Sequence, residues 1–411
     1  MVTDVIIIGG GAAGLCSAIY LKQQNPALSV RIMEALPRVG KKLALTGNGR
    51  CNITNKNIDI SRYHGNNVEF ARYALEKHDR LFCETFFEKI GVPFIFEGEK
   101  AFPSSLQAAS VVDCLRFEAE RLGVITHLET KITNIQISGG NYKVISENLN
   151  FFAKNLIIAT GLLSGGEKLG CDGSMLAILK KAGYKIIETT PAIVQVKTVT
   201  DIVKQLKGIK INALVTLKAD GKTLRSEFGE VLFCDYGLSG PPILQISRQI
   251  SRTDSETKIS LDLFPETSFS ELCNMLINRS KSLSYRALDE FFTGMIHKRL
   301  GQVILKTADC KLTDLSDTLN ENKCKKIASV LKNFTFTVTG TTGFANSQVT
   351  AGGLDTTQFN PNTMESLLNK RLYCIGEILD IDGDCGGFNL QWAWSSAICA
   401  AESIIGQSEK L

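Results

Sequence analysis

The sequence predicts an α/β fold in which a parallel sheet with an added β-meander is interrupted by an inserted β-rich and helical domain. Three observations predict this fold class. A buried strand at residues 5–8 runs into a glycine-rich turn and a helix. A second buried strand at residues 30–34 completes a βαβ unit, the pattern of a Rossmann-like domain. A further buried strand at residues 371–376, followed by glycines and a helix, returns to that pattern after a middle region of different texture.

The composition is that of a globular protein. The chain has 411 residues, 44% of them apolar, and a formal net charge of +4. At about 150 residues per domain, this length predicts two or three domains with sizeable cores, and the composition excludes intrinsic disorder. The twelve cysteines never form Cys-x-x-Cys, which predicts reduced thiols in the cytoplasm and neither a zinc site nor a disulfide framework. No signal peptide and no apolar run of about 18 residues is visible, so we expect no membrane span.

The elements between these strands follow in order. Residues 132–145 alternate around a Gly139-Gly140-Asn141 turn and predict the hairpin of the meander, and residues 156–161 predict a buried strand. An antiparallel stretch over residues 211–233 then precedes helical periodicity over residues 268–331. The predicted domains are residues 1–190 with 341–411, and a β-barrel-like and helical insertion at residues 191–340.

The turn after the first strand contains Gly9, Gly11 and Gly14 in G-x-G-x-x-G spacing. Its place between a strand and a helix favours a dinucleotide site over a merely tight turn, because helix N–H groups can meet a pyrophosphate at Gly11. Glu34 lies 20 residues beyond Gly14, where a carboxylate can accept from ribose hydroxyls. An acid there disfavours a 2′-phosphate, so the motif predicts FAD or NAD.

The C-terminal region favours FAD over NAD. Gly376 and Glu377 follow the last predicted strand, and Gly387 opens a helix near Asn389. An elongated cofactor held by segments hundreds of residues apart suits FAD, and a helix N-terminus would offset negative charge near flavin N1–C2=O. The alternative is a glycine-rich loop without a ligand.

Four longer segments carry a family resemblance: residues 40–55 (GKKLALTGNGRCNITN), 101–104 (AFPS), 236–241 (YGLSGP) and 376–394 (GEILDIDGDCGGFNLQWAW). The whole chain resembles a bacterial FAD flavoprotein family that includes bile-acid Δ4,6-reductase-like proteins, a ribosomal-RNA dihydrouridine synthase and an aminoacetone oxidase branch. The resemblance implies an FAD domain split by an insertion and leaves the substrate open. Cys234-Asp235 departs from the Thr-His of many members.

Motif and resemblance together give a set of predicted cofactor-binding residues. They are Gly9, Gly11, Ala13, Gly14, Glu34, Lys42, Thr46, Gly47, Gly49, Arg50, Cys51, Asn52, Ala159, Thr160, Gly161, Gly376, Glu377, Asp382, Gly387, Phe388, Asn389 and Leu390.

Two residues are candidate proton donors. Cys51, in the Gly- and Asn-rich loop, is protonated at neutral pH and could protonate the α-carbon of a reduced C=C bond. The alternative is a buried thiol that packs beneath the loop. His64 is the second candidate, whereas His78 and His297 lie in charged helical stretches and are expected to face solvent. No histidines are spaced as metal ligands, so no metal is predicted.

The predicted function is an FAD-dependent oxidoreductase that uses NADH or NADPH to reduce an activated C=C bond, favouring a 3-oxo-Δ4 or Δ4,6 steroid or bile-acid-like enone. With one dinucleotide motif, the nicotinamide and the substrate must take turns at one flavin. The alternatives are a 23S rRNA dihydrouridine synthase, an aminoacetone or small-amine oxidase, and a non-catalytic FAD scaffold that binds RNA or protein.

Charge bears on the choice between a small molecule and RNA. Residues 191–340 hold 21 of the 46 basic and 16 of the 42 acidic residues, an excess of +5. Such an excess is usually a solvated surface, and no aromatic platform accompanies it. A small-molecule substrate is therefore favoured, with rRNA as the alternative partner. An RNA backbone would lie along six lysines: Lys204, Lys207, Lys210, Lys323, Lys325 and Lys326.

Overall fold

The computed structural model describes residues 2–408. Residues 1 and 409–411, which the predicted domain boundaries include, lie outside the described residues. The chain forms two compact units. Unit 1 contains the residues up to Pro191 and those from Phe344 onward, and unit 2 is Ala192–Gly343.

Within residues 2–408 the strands form four open sheets and one closed barrel. In chain order they are β1 Val2–Ile8, β2 Val30–Met33, β3 Thr54–Asn55, β4 Tyr63–His64, β5 Phe94–Glu97, β6 Lys100–Pro103, β7 Ile125–His127, β8 Ile132–Ser138, β9 Asn141–Ser146, β10 Asn150–Ile158, β11 Ile186–Ala192, β12 Val196–Thr198, β13 Lys210–Ala219, β14 Lys222–Phe233, β15 Gly237–Ser239, β16 Thr257–Asp262, β17 Phe334–Thr341, β18 Val349–Leu354, β19 Leu372–Cys374 and β20 Asp382–Gly383.

The α-helices differ widely in length, from the single turn of α2 to the long C-terminal α12. In chain order they are α1 Ala12–Gln24, α2 Thr46–Gly49, α3 Arg72–Lys77, α4 Arg80–Lys89, α5 Ala108–Arg121, α6 Ser174–Lys181, α7 Thr200–Gln205, α8 Pro241–Ser251, α9 Phe269–Ser282, α10 Lys298–Thr307, α11 Glu321–Lys332 and α12 Phe388–Ser408. Within residues 2–408, none of these helices is long and apolar enough to cross a membrane.

Unit 1 is built on one seven-stranded sheet in the order β7-β2-β1-β10-β9-β8, with β19 also paired to β10. Strands β7, β2, β1, β10 and β19 are parallel, and β10, β9 and β8 form the antiparallel meander. The carboxyl-terminal parts of β1 and β10, residues 5–8 and 156–158, are apolar and buried, as expected for a parallel sheet covered on both faces. This confirms the predicted Rossmann-like sheet with its β-meander.

Parallel pairing aligns the carboxyl ends of β2, β1, β10 and β19 along one edge of the sheet. The register places Ile8 opposite Met33 and Ile158, and Ile158 opposite Cys374. The segments that leave these four strands are the ones in which most of the predicted site residues lie. Open α/β sheets bind ligands at this edge.

Unit 2 contains a closed barrel in the order β12-β15-β14-β13-β16-β17. Its buried core joins barrel residues with apolar faces of α8, α9, α10 and α11. Helix α9 begins with a capping box, in which Ser268 and Glu271 satisfy each other's backbone N–H groups.

Candidate functional site

The three glycines of the motif have different structural roles in the turn between β1 and α1. A Cβ on Gly9 would lie 2.5 Å from the carbonyl oxygen of Ala159, and a Cβ on Gly14 would lie 2.0 Å from the carbonyl oxygen of Gly9. These two glycines allow backbone segments to touch. Among the residues that the structure describes, a Cβ on Gly11 would meet nothing within 4 Å, and α1 begins there without a side-chain cap. Gly11 therefore leaves space and uncapped N–H groups for an anion.

Glu34 lies at the end of β2 and is 9% exposed. Its Oε2 accepts from the Gly10 N–H at 2.8 Å, and its Oε1 accepts from the Leu36 N–H at 2.8 Å. Burial raises the pKa of this carboxyl, against the lowering effect of those backbone N–H groups. Each carboxylate oxygen has a second lone pair, so the side chain can still accept from ribose hydroxyls.

A polar network joins three predicted segments. Lys42 Nζ donates to Glu377 Oε2 at 2.5 Å and to Ser164 Oγ at 2.6 Å. Glu377 Oε1 also accepts from the Thr350 N–H at 2.8 Å. A Cβ on Gly161 would lie 3.5 Å from Glu377 Oε2. The predicted residues after β10 and β19 are thus brought to the loop that contains Lys42.

Residues 46–52 form a loop with an unusual backbone, and the short α2 within it is not a regular right-handed helix. Gly47, Asn48, Gly49 and Cys51 all have φ between 56° and 80°. The Arg50 guanidinium lies 4.4 Å from the ring centre of Phe102 and forms an exposed ion pair with Glu97. The Arg50 guanidinium, which was predicted to contact the cofactor, therefore also pairs with the Glu97 carboxylate.

Two side chains of the predicted set are used within the protein. Thr46 Oγ1 donates to the carbonyl of Leu43 at 2.7 Å. Asn389 bonds both peptide groups of Gly383, since its Oδ1 accepts from the N–H and its Nδ2 donates to the carbonyl, each at 2.8 Å. Both polar atoms of the Asn389 side chain are therefore engaged within the protein.

The start of α12 packs directly on the loop. A Cβ on Gly387 would lie 2.5 Å from the Thr54 carbonyl oxygen and 2.9 Å from Asn52 Oδ1. Asn55 Nδ2 donates to the carbonyl of Gly386 at 2.8 Å. Glycine is therefore needed at position 387 because a side chain would clash with this loop, a requirement that the sequence motif did not reveal.

Two tryptophans of α12 hold this helix against segments of the site through hydrogen bonds. Neither was among the predicted site residues. Trp392 Nε1 donates to the Gly376 carbonyl at 3.1 Å, and Trp394 Nε1 donates to the Ile53 carbonyl at 3.0 Å. Ser396 Oγ accepts from the Gly376 N–H at 3.0 Å. The available signal was that the only two tryptophans of the chain lie in one motif.

The two candidate proton donors have different surroundings. Cys51 is fully buried, and burial raises the pKa of its thiol to about 12. His64 is partly exposed, and its Nε2 lies 2.8 Å from Oδ1 of the buried Asp384. Strand β4 pairs with β20, which places His64 opposite Asp382. Arg62 also reaches Asp384, at 3.4 Å. Asp384 is a further site residue that the sequence did not single out.

The expectation that His78 faces solvent is wrong. Its side chain is 2% exposed, and its Nε2 lies 3.1 Å from Glu402 Oε2. Its carbonyl accepts from Gln391 Nε2 and Ser395 Oγ, at 2.8 and 2.7 Å. The charged stretch around His78 gave no sign of partners more than 300 residues away.

The HI0933-like protein Rossmann domain model matches residues 3–403. The chain belongs to the HI0933-like family. Its relatives include the 3-dehydro-bile acid delta(4,6)-reductase of Clostridium scindens, 33% identical over 97% of this chain and 98% of the relative. The ribosomal RNA dihydrouridine synthase of Haemophilus influenzae is 30% identical over 98% of this chain and 99% of the relative. A solved quinol-fumarate reductase shares the fold at a TM-score of 0.53 and 14% identity, over 99% of this chain and 71% of that chain.

HI0933-like proteins are FAD-binding Rossmann oxidoreductases, and the residues of this chain fit that cofactor. The open space at Gly11 suits a pyrophosphate at the N-terminus of α1. The buried Asn52 Oδ1 has no hydrogen-bond partner within residues 2–408, as expected of a group that meets a ligand. The contacts of the individual predicted residues with FAD stay predictions.

Proposed function

We propose that this chain uses NADH or NADPH to reduce an activated C=C bond, with a 3-oxo-Δ4 or Δ4,6 steroid or bile-acid-like enone as the favoured substrate. Bound FAD would supply hydride transfer, first from the nicotinamide and then to the β-carbon of the enone. The similarity to the bile-acid reductase along the whole chain supports this reaction class. The chain's own residues must then hold the cofactor and provide a proton for the α-carbon.

We assign the proton donor to His64. With Asp384 accepting from Nε2, the ring is oriented, and in its imidazolium form Nδ1–H would be the group left to donate a proton. Tyr63, the residue before it, donates through its hydroxyl to the carbonyl of Phe388 at 3.0 Å, which fixes this strand beside the start of α12. An acid works best with a pKa near the operating pH, so the Cys51 thiol is the weaker candidate. Cys51 then packs beneath the loop.

The observation that carries the choice of a small molecule is the pairing of the lysines in unit 2. Four of the six lysines proposed for an RNA backbone form ion pairs with nearby carboxylates. These pairs are Lys207–Asp235, Lys210–Glu230, Lys325–Glu321 and Lys326–Asp309. A neighbouring carboxylate cancels much of the attraction that a phosphate would feel. Unit 2 therefore offers a weaker polyanion surface than its +5 balance suggests.

The test is anaerobic stopped-flow reoxidation of the NADH-reduced protein by a 3-oxo-Δ4 steroid, uridine, an rRNA fragment or O₂. We expect fast reoxidation by the steroid with little dependence on salt. Fast reoxidation by the rRNA fragment alone, with a log–log salt slope of roughly −2 to −3 for about three phosphates, would instead support the synthase. Fast reoxidation by O₂ with release of peroxide would support the oxidase. A protein that NADH cannot reduce would support the scaffold.

The His64→Gln variant tests the proton donor, with Cys51→Ala as its matched control. We expect both variants to accept electrons from NADH at the wild-type rate. His64→Gln should then slow the steroid half-reaction by about 10²–10⁴-fold, the usual effect of losing a general acid. Cys51→Ala should leave that half-reaction nearly unchanged. The opposite result would assign the proton to Cys51.

A further inference from the structure

Asn52 carries a buried acceptor atom without a partner. The residue is 9% exposed, and within the described part of the chain its Oδ1 has no hydrogen-bond partner. Native structures satisfy nearly all buried polar atoms, so an exception on a ligand-binding loop points to a donor that comes with the ligand. The loop is held firmly, because the Trp394 indole and the Ala101 carbonyl both bond to the peptide groups of Ile53.

The position of Asn52 restricts which donor this can be. Its Oδ1 lies beside Gly387, at the start of α12, since a Cβ on Gly387 would approach it to 2.9 Å. A helix N-terminus favours the flavin edge that gains negative charge, N1–C2=O. In the ring, N3 is bonded to C2, whereas N5 lies on the opposite side from N1. With that edge at the helix start, the donor nearest Asn52 would be N3–H, the one N–H group of the oxidised ring.

We propose that Asn52 Oδ1 accepts a hydrogen bond from flavin N3–H and thereby recognises the pyrimidine edge of the cofactor. Arg50 supports this assignment, because its buried Nε is a donor in the same loop that has no hydrogen-bond partner among residues 2–408. The N3–H group is flanked by two carbonyl acceptors, so an acceptor and a donor two residues apart match the chemistry of that edge. The proposal rests on the flavin cofactor and is independent of the substrate.

The test is a binding cycle between the protein and an altered flavin. Apoprotein is titrated with FAD and with N3-methyl-FAD, and binding is followed by flavin fluorescence. We expect wild-type protein to bind the methylated flavin about tenfold more weakly or worse, as for a lost buried hydrogen bond. Asn52→Ala should bind FAD about tenfold more weakly and bind both flavins with affinities within about twofold. Asn57→Ala, at an exposed asparagine five residues away, should behave like wild type.

Each other outcome overturns the proposal. Equal affinity of wild-type protein for the two flavins would do so without any variant, even if Asn52→Ala fails to fold. A preference for FAD that is undiminished in Asn52→Ala would place the contact elsewhere. A lower midpoint potential in Asn52→Ala with no change in the preference would mean that Asn52 accepts from N5–H of the reduced flavin. None of these measurements requires turnover, so they stand apart from the test of the enone reaction.

Discussion

Substitutions of two glycines in the β1–α1 motif should affect different properties of the protein, FAD binding in one case and stability in the other. Gly11 has φ −82° and ψ −163°, an extended conformation that valine adopts readily, and its Cβ position is open. An apolar residue at a helix N-cap costs below about 1 kcal/mol relative to glycine. Gly11→Val should therefore leave the apoprotein nearly as stable as wild type and abolish FAD binding, because the side chain fills the space proposed for the pyrophosphate.

Gly14→Ala should instead destabilise the fold. The added Cβ would lie 2.0 Å from the Gly9 carbonyl oxygen and 3.1 Å from its carbonyl carbon, and Gly9 itself packs against the backbone of Ala159, just after β10. Overpacking costs about 1–3 kcal/mol, and a rigid backbone contact belongs at the upper end. Alanine recovers about 1 kcal/mol through its helix propensity. The expected net loss is about 2 kcal/mol.

Tryptophan fluorescence reports on this unit alone. Both tryptophans of the chain lie on α12, which packs against α1 in unit 1. With a urea dependence of about 2 kcal/mol per molar, a loss of ~2 kcal/mol lowers the unfolding midpoint of apoprotein by about 1 M. We expect this for Gly14→Ala and almost no shift for Gly11→Val. Equal shifts in the two variants, or wild-type FAD affinity in Gly11→Val, would refute the reasoning.

Two further predictions concern α12. A Cβ on Gly387, at φ +100°, would lie 2.5 Å from a backbone oxygen, whereas Gly183, at φ +93°, has open space around its Cβ position. Gly387→Ala should therefore lower the free energy of unfolding in urea by about 1–3 kcal/mol more than Gly183→Ala. Equal losses in the two variants would contradict the contact. Burial opposes ionisation of Glu402, but hydrogen bonds from His78 and Lys77 lower its pKa from 4.5 to about 2. This stabilisation is present above pH ~4.5 and is lost as pH falls through ~2. Glu402→Gln should therefore lower stability at pH 7 by about 1–2 kcal/mol and flatten the acid dependence between those values, and an unchanged profile would argue against the ion pair.

The parts of the fold that local patterns encode were predictable. The β1–α1–β2 unit, the hairpin around Gly139 and Gly140, and the strand before Gly376 each follow from periodicity and turn residues within a short window. The glycine motif likewise predicted an open position at Gly11. These features depend on neighbours along the chain, which a sequence displays directly.

Contacts between distant segments were not predictable in this way. Nothing in the helical pattern of α12 indicates that Trp394 reaches the carbonyl of Ile53, or that Gln391 accepts from Thr54 Oγ1 at 2.6 Å. The same limitation explains the error at His78 and the omission of Asp384. Each partner lies more than 300 residues away, so only the folded arrangement reveals it.

The pairing of β10 with β19 has a consequence for the order of folding during synthesis. All six barrel strands of unit 2 are translated between these two neighbours of the unit 1 sheet, so the ribosome delivers a complete barrel while that sheet still lacks a strand. Domains fold as units when their residues have emerged. The early strands of unit 1 therefore cannot complete their sheet, and they expose apolar surface, until β19 and α12 have been synthesised. A chain truncated after Gly343 should thus carry a protease-resistant barrel and a digestible N-terminal half.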